Sequence, residues 1–306
     1  MKLPATIRRN EKIDKVLVVG PNGNVGRALI PALLSLGYKV RALQYCSEVP
    51  ARDGQEIVPG HTLDAEAVRR AVEGVDAVCH MIRATGPGDT QCQKWLNCCV
   101  VGATNLLEAV KDRPLVRFVA GSADNVFGHV TMRHYGPINE NHTKRFADDY
   151  YGLFKILEEE LCRQYHLGFA VPTVVTRFGL IWTDEVAAAG GWALNRKARK
   201  IRRLIDVDGE CLVRHDVHID DAVQGVLLAL CRDEAVGEDF TFASPAPYSS
   251  DRLCAILKDK TGWPIEDAPT AWHSWTLDDS KARSLLGYSP TVDILDFLRR
   301  YELGVA

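Results

Sequence analysis

Short β-branched runs alternate with amphipathic stretches over roughly the first 180 residues. KVLVVG (15–20) is apolar at successive positions and ends in glycine, which predicts a strand buried on both faces. GNVGRALIPALLSLG (23–37) has helical spacing and stops at Gly37, and YKVRALQ (38–44) predicts a second strand. LDAEAVRRAVEGV (63–75) turns Ala67, Val68, Ala71 and Val72 one way and Arg69, Arg70 and Glu73 the other. Strands at DAVCHM (76–81), VRFVAGS (116–122) and VPTVVTRFG (171–179) are separated by two further helices. The first, LNCCVVGATNLLEAVKD (96–112), is apolar on most sides. The second, DDYYGLFKILEEELCRQY (148–165), is expected to turn its acidic residues to solvent. Strands alternating with helices predict parallel βαβ units in an α/β, doubly wound sheet.

Beyond residue 180 the alternation loosens. TDEVAAAGGWALNRKARKIRRLID (183–206) reads as small residues followed by a basic helix. VHIDDAVQGVLLAL (217–230) is a strand end leading into a helix, and GEDFTFAS (237–244) is another strand. Two helices follow, 249–262 and 278–287, each with serine or aspartate near its start and glycine at its end.

Composition adds boundaries rather than a function. The chain has 306 residues, 46% hydrophobic and 25% charged, with a formal charge of -3. That is ordinary globular usage with no overall bias towards nucleic acid or an anionic membrane. The basic run RKARKIRR (196–203) is short and lacks interleaved aromatics, so a solvated face is expected there, not nucleic acid. The polar N-terminus lacks the apolar core of a signal peptide, and no apolar run reaches the roughly 18 residues of a membrane span. Nine cysteines without a CxxC pair are expected to be reduced thiols in a soluble cytoplasmic protein. His129, His134 and His142 have no metal-ligand spacing, and no metal site is expected; His80 and His218 read as core groups.

Two patterns carry chemistry. Gly20, Gly23 and Gly26 repeat every third residue between a strand and a helix. Such a loop makes the tight turn, admits a pyrophosphate to the backbone and packs the helix against the strand, with free N–H groups at the helix start. It predicts a dinucleotide site. The second strand ends in Gln44, with Tyr45 and Cys46 after it and no arginine, which favours NAD and leaves NADP open. Tyr151 and Lys155 are four apart and share a helix face. An ammonium beside a phenol favours the phenolate over its ordinary pKa of about 10, as an acid/base at a hydroxyl requires.

In one order, the glycine repeat, GATNLLEA (102–109), GSADNVFG (121–128), the Tyr151–Lys155 pair, VHIDD (217–221) and DDSKARSLLGYSPT (278–291) resemble the extended short-chain dehydrogenase/reductase family, and within it the NAD-dependent epimerase/dehydratase group. The resemblance implies a Rossmann-like domain over 13–181 with return segments at about 215–244, and a smaller C-terminal substrate-binding lobe from 182–214 and 245–306. It implies Tyr151, Lys155 and Ser122 as catalytic residues. Cofactor contacts are expected from Gly20, Gly23, Asn24, Val25, Gly26, Gln44, His61, Thr62, Met81, Ile82, Lys155 and Phe178. Substrate contacts are expected from Arg83, Ser122, Asn125 and Arg214, and His134, Tyr135 and Asn139 lie in a loop that borders the substrate in the family. Helices near 95–111 and 149–165 would pair two copies into a homodimer.

Departures from the family pattern narrow the reading. The usual serine or threonine position is Ala123, the turn tyrosine is Phe127, and an aspartate common near the adenine is His61. Cys99 and Leu180 stand where asparagines are usual. These changes weaken a nucleotide-diphosphate sugar as substrate. The expected activity is NAD(P)-dependent epimerase or dehydrogenase chemistry at a hydroxyl of a sugar, sugar derivative or polyol. The alternatives are a non-catalytic dinucleotide sensor or scaffold, and an NADPH-dependent carbonyl reductase.

Overall fold

The computed structural model describes residues 7–45, 48–82, 90–145 and 150–304. Strand β1 (Lys15–Val19) leads into α1 (Asn24–Ser35), then β2 (Lys39–Gln44), β3 (Gln55–Pro59), α2 (Ala65–Val72) and β4 (Ala77–His80). Helix α3 (Gln91–Trp95) continues through a π-helical turn, Leu96–Val101, into α4 (Gly102–Val110). After β5 (Arg117–Ala123) a 3₁₀ turn, Asp124–Phe127, precedes α5 (Tyr150–Phe169) and β6 (Thr173–Phe178).

Alternation along β1 shows why the strand had to be apolar throughout. Val16 and Val18 pack into one core with Leu29, Ile30 and Leu33 of α1. Leu17 and Val19 enter a second core with Val68 and Val72 of α2 and Leu106 and Leu107 of α4. A strand with helices on both faces has no solvated parity.

The second half runs β7 (Ile181–Trp182), α6 (Asp184–Ala188), β8 (Leu194–Asn195), β9 (Lys200–Ile205), β10 (Val213–Arg214), β11 (Val217–His218) and α7 (Ile219–Cys231). It closes with β12 (Asp239–Phe242), β13 (Tyr248–Ser249), α8 (Ser250–Thr261), β14 (Ile265–Pro269), α9 (Ser280–Leu286) and α10 (Ile294–Arg300). The main sheet has seven parallel strands in the order β12-β6-β5-β4-β1-β2-β3. Chain direction across the sheet reverses between β1 and β4, so a crevice opens beyond their carboxyl ends. Helices α7 and α9 pack into the first core beside β1 and α1, while β7, α6, β8, β9, β13, α8, β14 and α10 build a lobe around Trp182, Tyr248, Leu257, Trp263 and Leu298.

Two expectations fail. The basic stretch is not a helix: after a turn it forms β9, with Ile201 fully buried and its neighbours Lys200 and Arg202 exposed, a period of two. Its charges do face solvent, Lys200 on Glu266 and Arg203 on Asp267 of β14. The acidic run of α5 is not a solvent face either. Glu158 and Glu159 are 1% and 2% exposed, because buried cations await both. No helix among the described residues is long and apolar enough to cross a membrane, and the eight described cysteines are free thiols.

Candidate active site

One cavity of about 1100 Å³ starts at the carboxyl ends of β1 and β4 and runs to the second lobe. Its inner end is the glycine loop. Gly20 has φ +82, and a Cβ there would lie 2.5 Å from the Met81 carbonyl oxygen. Gly26 is closed from the other side: its Cβ would lie 2.2 Å from the Gly20 oxygen. Helix α1 starts at Gly23 with no side-chain cap and no acidic residue in its first turn. Uncapped N–H groups facing a cavity suit a pyrophosphate, so the residues present fit a dinucleotide.

The outer wall of this end is aromatic. Tyr45 and His61 meet edge to face with centroids 4.2 Å apart, and His61 Nδ1 accepts from the Leu63 N–H. Thr62, Met81, Ile82, Asn24, Val25 and Phe178 also reach the cavity. Gln44 does not: its Oε1 accepts from the Val49 N–H at 3.0 Å, which ties down the next loop. Gly26 serves packing and likewise stays off the wall.

Helix α5 brings Tyr151 and Lys155 to the same cavity, as their spacing requires. The Tyr151 ring rests on Trp95 with centroids 4.8 Å apart. Lys155 is fully buried, and its ammonium donates to Gly121 O (2.7 Å), Glu158 Oε2 (2.8 Å) and Ile82 O (3.3 Å). Burial is the strongest single influence and opposes its charge, but Glu158, Cys99 and Tyr151 together overcome it and hold Lys155 above the usual lysine range. Glu158 is in turn held below the carboxylate range, since Lys155 and then His80 overcome its desolvation. His80 Nδ1 lies 2.8 Å from Glu158 Oε1.

Ser122 lines the same cavity, and its hydroxyl proton is already engaged. Its Oγ donates to Glu159 Oε1 at 2.5 Å. Glu159 also accepts from Arg177 Nε and Nη2, both at 2.8 Å, and from Lys144 Nζ at 2.7 Å. Burial pushes Glu159 up, but Arg177 and then Lys144 hold it ionised. This network bolts α5 to β5 and β6 and thereby positions Tyr151 and Lys155. At the family's hydroxyl position Ala123 borders the cavity with a methyl group.

The far end is walled by the loop after β5 and by the second lobe. Asn125 and Arg214 reach it as expected. Arg214 is 4% exposed and donates to Asp216 Oδ2 at 2.7 Å. Asp216 also accepts from Trp182 Nε1 at 2.8 Å and from the Tyr248 hydroxyl. Arg83 lies outside the described residues. His134, Tyr135 and Asn139 line a separate surface hollow of about 710 Å³, while Gly128, His129, Val130 and Thr131 of the same loop reach the main cavity.

Sequence reasoning missed Glu158, Asp124 and the tryptophans Trp192, Trp272 and Trp275. Only Glu158 carried a local signal: Tyr151, Lys155 and Glu158 stand at i, i+4 and i+7 on one helix face. Asp124 begins the turn after β5. Burial, then Asp216, push its carboxyl up to about 8, and its Oδ2 has no hydrogen-bond partner. His129, buried against Trp275, is pushed down to about 3 and is therefore neutral.

A seven-stranded parallel sheet with an uncapped glycine loop, and a tyrosine–lysine helix beside it, define an enzyme of the extended short-chain dehydrogenase/reductase class. The chain belongs to the NAD dependent epimerase/dehydratase family, whose sequence model matches residues 16–242. It is 24% identical over 260 residues to uronate dehydrogenase of Pseudomonas syringae pv. tomato, covering 84% of this chain and 90% of that protein. It is 26% identical over 319 residues to the 4-hydroxy-2-methyl-3-oxo-4-farnesyl-3,4-dihydroquinoline-1-oxide ketoreductase of Stigmatella aurantiaca, covering 91% and 92%. Among solved structures, a short-chain dehydrogenase/reductase superfamily protein from Agrobacterium tumefaciens with bound NAD superposes with a TM-score of 0.82, at 25% identity over 95% of this chain and 96% of that one. NAD is the family's cofactor, and the cavity fits it.

Proposed function

We propose that the protein catalyses NAD-dependent hydride transfer at a secondary hydroxyl of a sugar, sugar derivative or similar polyol, as a dehydrogenase or epimerase. The observation that carries this reading is the shared cavity: Tyr151 and Lys155 stand on the same wall system as the glycine loop. When bound, NAD supplies the hydride acceptor. Tyr151 takes the hydroxyl proton as the alcohol is oxidised, and returns it in the reverse direction. Lys155, held charged, favours the phenolate. Its three donors already meet Gly121, Glu158 and Ile82, so it acts through charge more than by offering a new hydrogen bond. Glu159 fixes the helix that carries both groups. Uronate dehydrogenase among the relatives supports a sugar-like substrate.

The test is to identify any nucleotide retained on purification, then to screen sugars and polyols with NAD and NADP. Tyr151→Phe should cut turnover by about 10²- to 10⁴-fold with dinucleotide affinity unchanged. Undiminished turnover in that variant overturns the mechanism.

A further inference from the structure

The cations that line the cavity among the described residues are Arg27, Lys155 and Arg214. Each already has a carboxylate: Arg27 meets Glu185 at 3.1 Å, Lys155 meets Glu158 at 2.8 Å, and Arg214 meets Asp216 at 2.7 Å. The last pair is locked, because Trp182 and Tyr248 also donate to Asp216. Asp216 cannot leave Arg214 without stranding two buried donors. The nearby acids and bases add no positive charge. Asp124, buried and raised by Asp216, is mostly protonated at neutral pH, and His129 is neutral. An anion entering here would lose its hydration without gaining a free counter-charge from the described residues.

What the site offers instead is aromatic surface. Three of the chain's six tryptophans, Trp192, Trp272 and Trp275, line this end. The Arg214 guanidinium lies 5.8 Å from the Trp192 ring centre and 6.0 Å from that of Trp275, so the two rings flank it. Trp275 Nε1 and Arg214 Nε are buried donors without a partner. Buried donors of this kind call for an acceptor such as a carbonyl, ether or hydroxyl oxygen.

We infer that the substrate is a neutral, unphosphorylated ring compound, whose C–H face stacks on the tryptophan wall while its oxygen atoms meet the unpaired donors. This deepens the hydride-transfer reading of the same site and rests on it. A polyol ring and a hydrocarbon-ring ketone share this chemistry, and the probes separate them.

The experiment uses the NAD-loaded protein and follows tryptophan quenching with four probes: myo-inositol, 2-tetralone, glucuronate and UDP-glucose. One of the neutral rings should bind at least about tenfold more tightly than either anion, with an affinity that salt leaves unchanged. Tight inositol identifies the polyol source and tight tetralone the hydrocarbon source. Trp192→Leu, at a half-exposed position where folding tolerates the change, should weaken the preferred neutral ring by about tenfold and leave the anions unaffected. Asp216→Asn should free Arg214 and strengthen glucuronate by about tenfold or more. Tighter binding of glucuronate or UDP-glucose than of both neutral rings overturns the inference, as does failure of both neutral rings to bind at millimolar concentration. The readout is binding, so loss of the Tyr151 mechanism would appear separately, in turnover of Tyr151→Phe.

Discussion

Asp124 makes the site's electrostatics measurable. Its carboxyl is 4% exposed, its Oδ2 has no hydrogen-bond partner, and His129 Nε2 stands 3.5 Å away as a neutral ring. Burial and then the Asp216 charge raise the carboxyl from 3.8 to about 8, with Arg214 offsetting only part of the effect. The folded state therefore binds this proton more tightly than the unfolded chain does. The stability that the proton contributes is complete below about pH 4 and is lost as pH rises through about 8. At 1.36 kcal/mol per pKa unit the full effect is on the order of 5 kcal/mol, with water penetration reducing it. Asp124→Asn has the same shape and cannot ionise. Urea unfolding followed by tryptophan fluorescence should show the two proteins equally stable near pH 3.5, below the unfolded-state value, within about 1 kcal/mol. The variant should then gain on the parent by up to about 1.4 kcal/mol per pH unit, levelling off above about pH 9. Other titrating groups cancel in the difference. A difference that does not change with pH, or that favours the parent as pH rises, refutes the buried neutral acid and with it the charge balance of the substrate end.

Ser122→Ala removes the donor to Glu159 and should cost about 1–3 kcal/mol in unfolding experiments while turnover falls less than about tenfold. A loss of two or more decades in turnover would instead place the hydroxyl in the reaction. Glu158→Gln leaves Lys155 buried without its counter-charge and should destabilise the fold by about 3–5 kcal/mol, with weakened NAD binding by calorimetry. An unchanged melting curve would show that the pair does not hold the site. Leu96, Val101 and Leu157 are exposed apolar residues on the π-helical turn and α5, where we propose that two copies meet. Val101→Glu with Leu157→Glu should convert a dimer to a monomer in light scattering, and a monomeric parent would rule the pairing out.

Features that depend on local spacing were readable along the chain. The glycine repeat, the Tyr151–Lys155 pair and the βαβ order need only neighbours within one turn or one strand–helix unit. The tryptophan wall was not readable, since Trp192 follows α6 while Trp272 and Trp275 follow β14, and no periodicity joins them. Glu158 and Glu159 were misread for a related reason. Three consecutive acids look like a solvated edge, and only Glu160 behaves so, paired with Arg163 on the surface. The partner that makes burial tolerable for Glu159 is Arg177 of β6, and Glu158 adds His80 of β4 to Lys155 of its own helix, so two of the three lie outside α5.

Ser122 shows how strand parity resolves what a motif leaves open. Phe118 and Ala120 enter the core shared with α2, α4 and α5, whereas Val119 enters the opposite one. Alternation puts Ser122 on the α5 side and Ala123 on the other. On the adjacent parallel strand Ser122 is in register with Arg177, two residues beyond Val175 of the same α5-side core. A hydroxyl and a guanidinium thus stand side by side, facing one helix. A carboxylate from that helix satisfies both, and Glu159, four residues after Lys155, supplies it. With the Ser122 proton donated there and Ala123 offering only a methyl group, the end of β5 keeps the Ser122 oxygen at the cavity as an acceptor but has no free hydroxyl proton. In the mechanism we propose, proton transfer by Tyr151 then relies on the charge of Lys155, on the unpaired donors of Arg214 and Trp275, and on how closely the tryptophan wall holds the reacting ring.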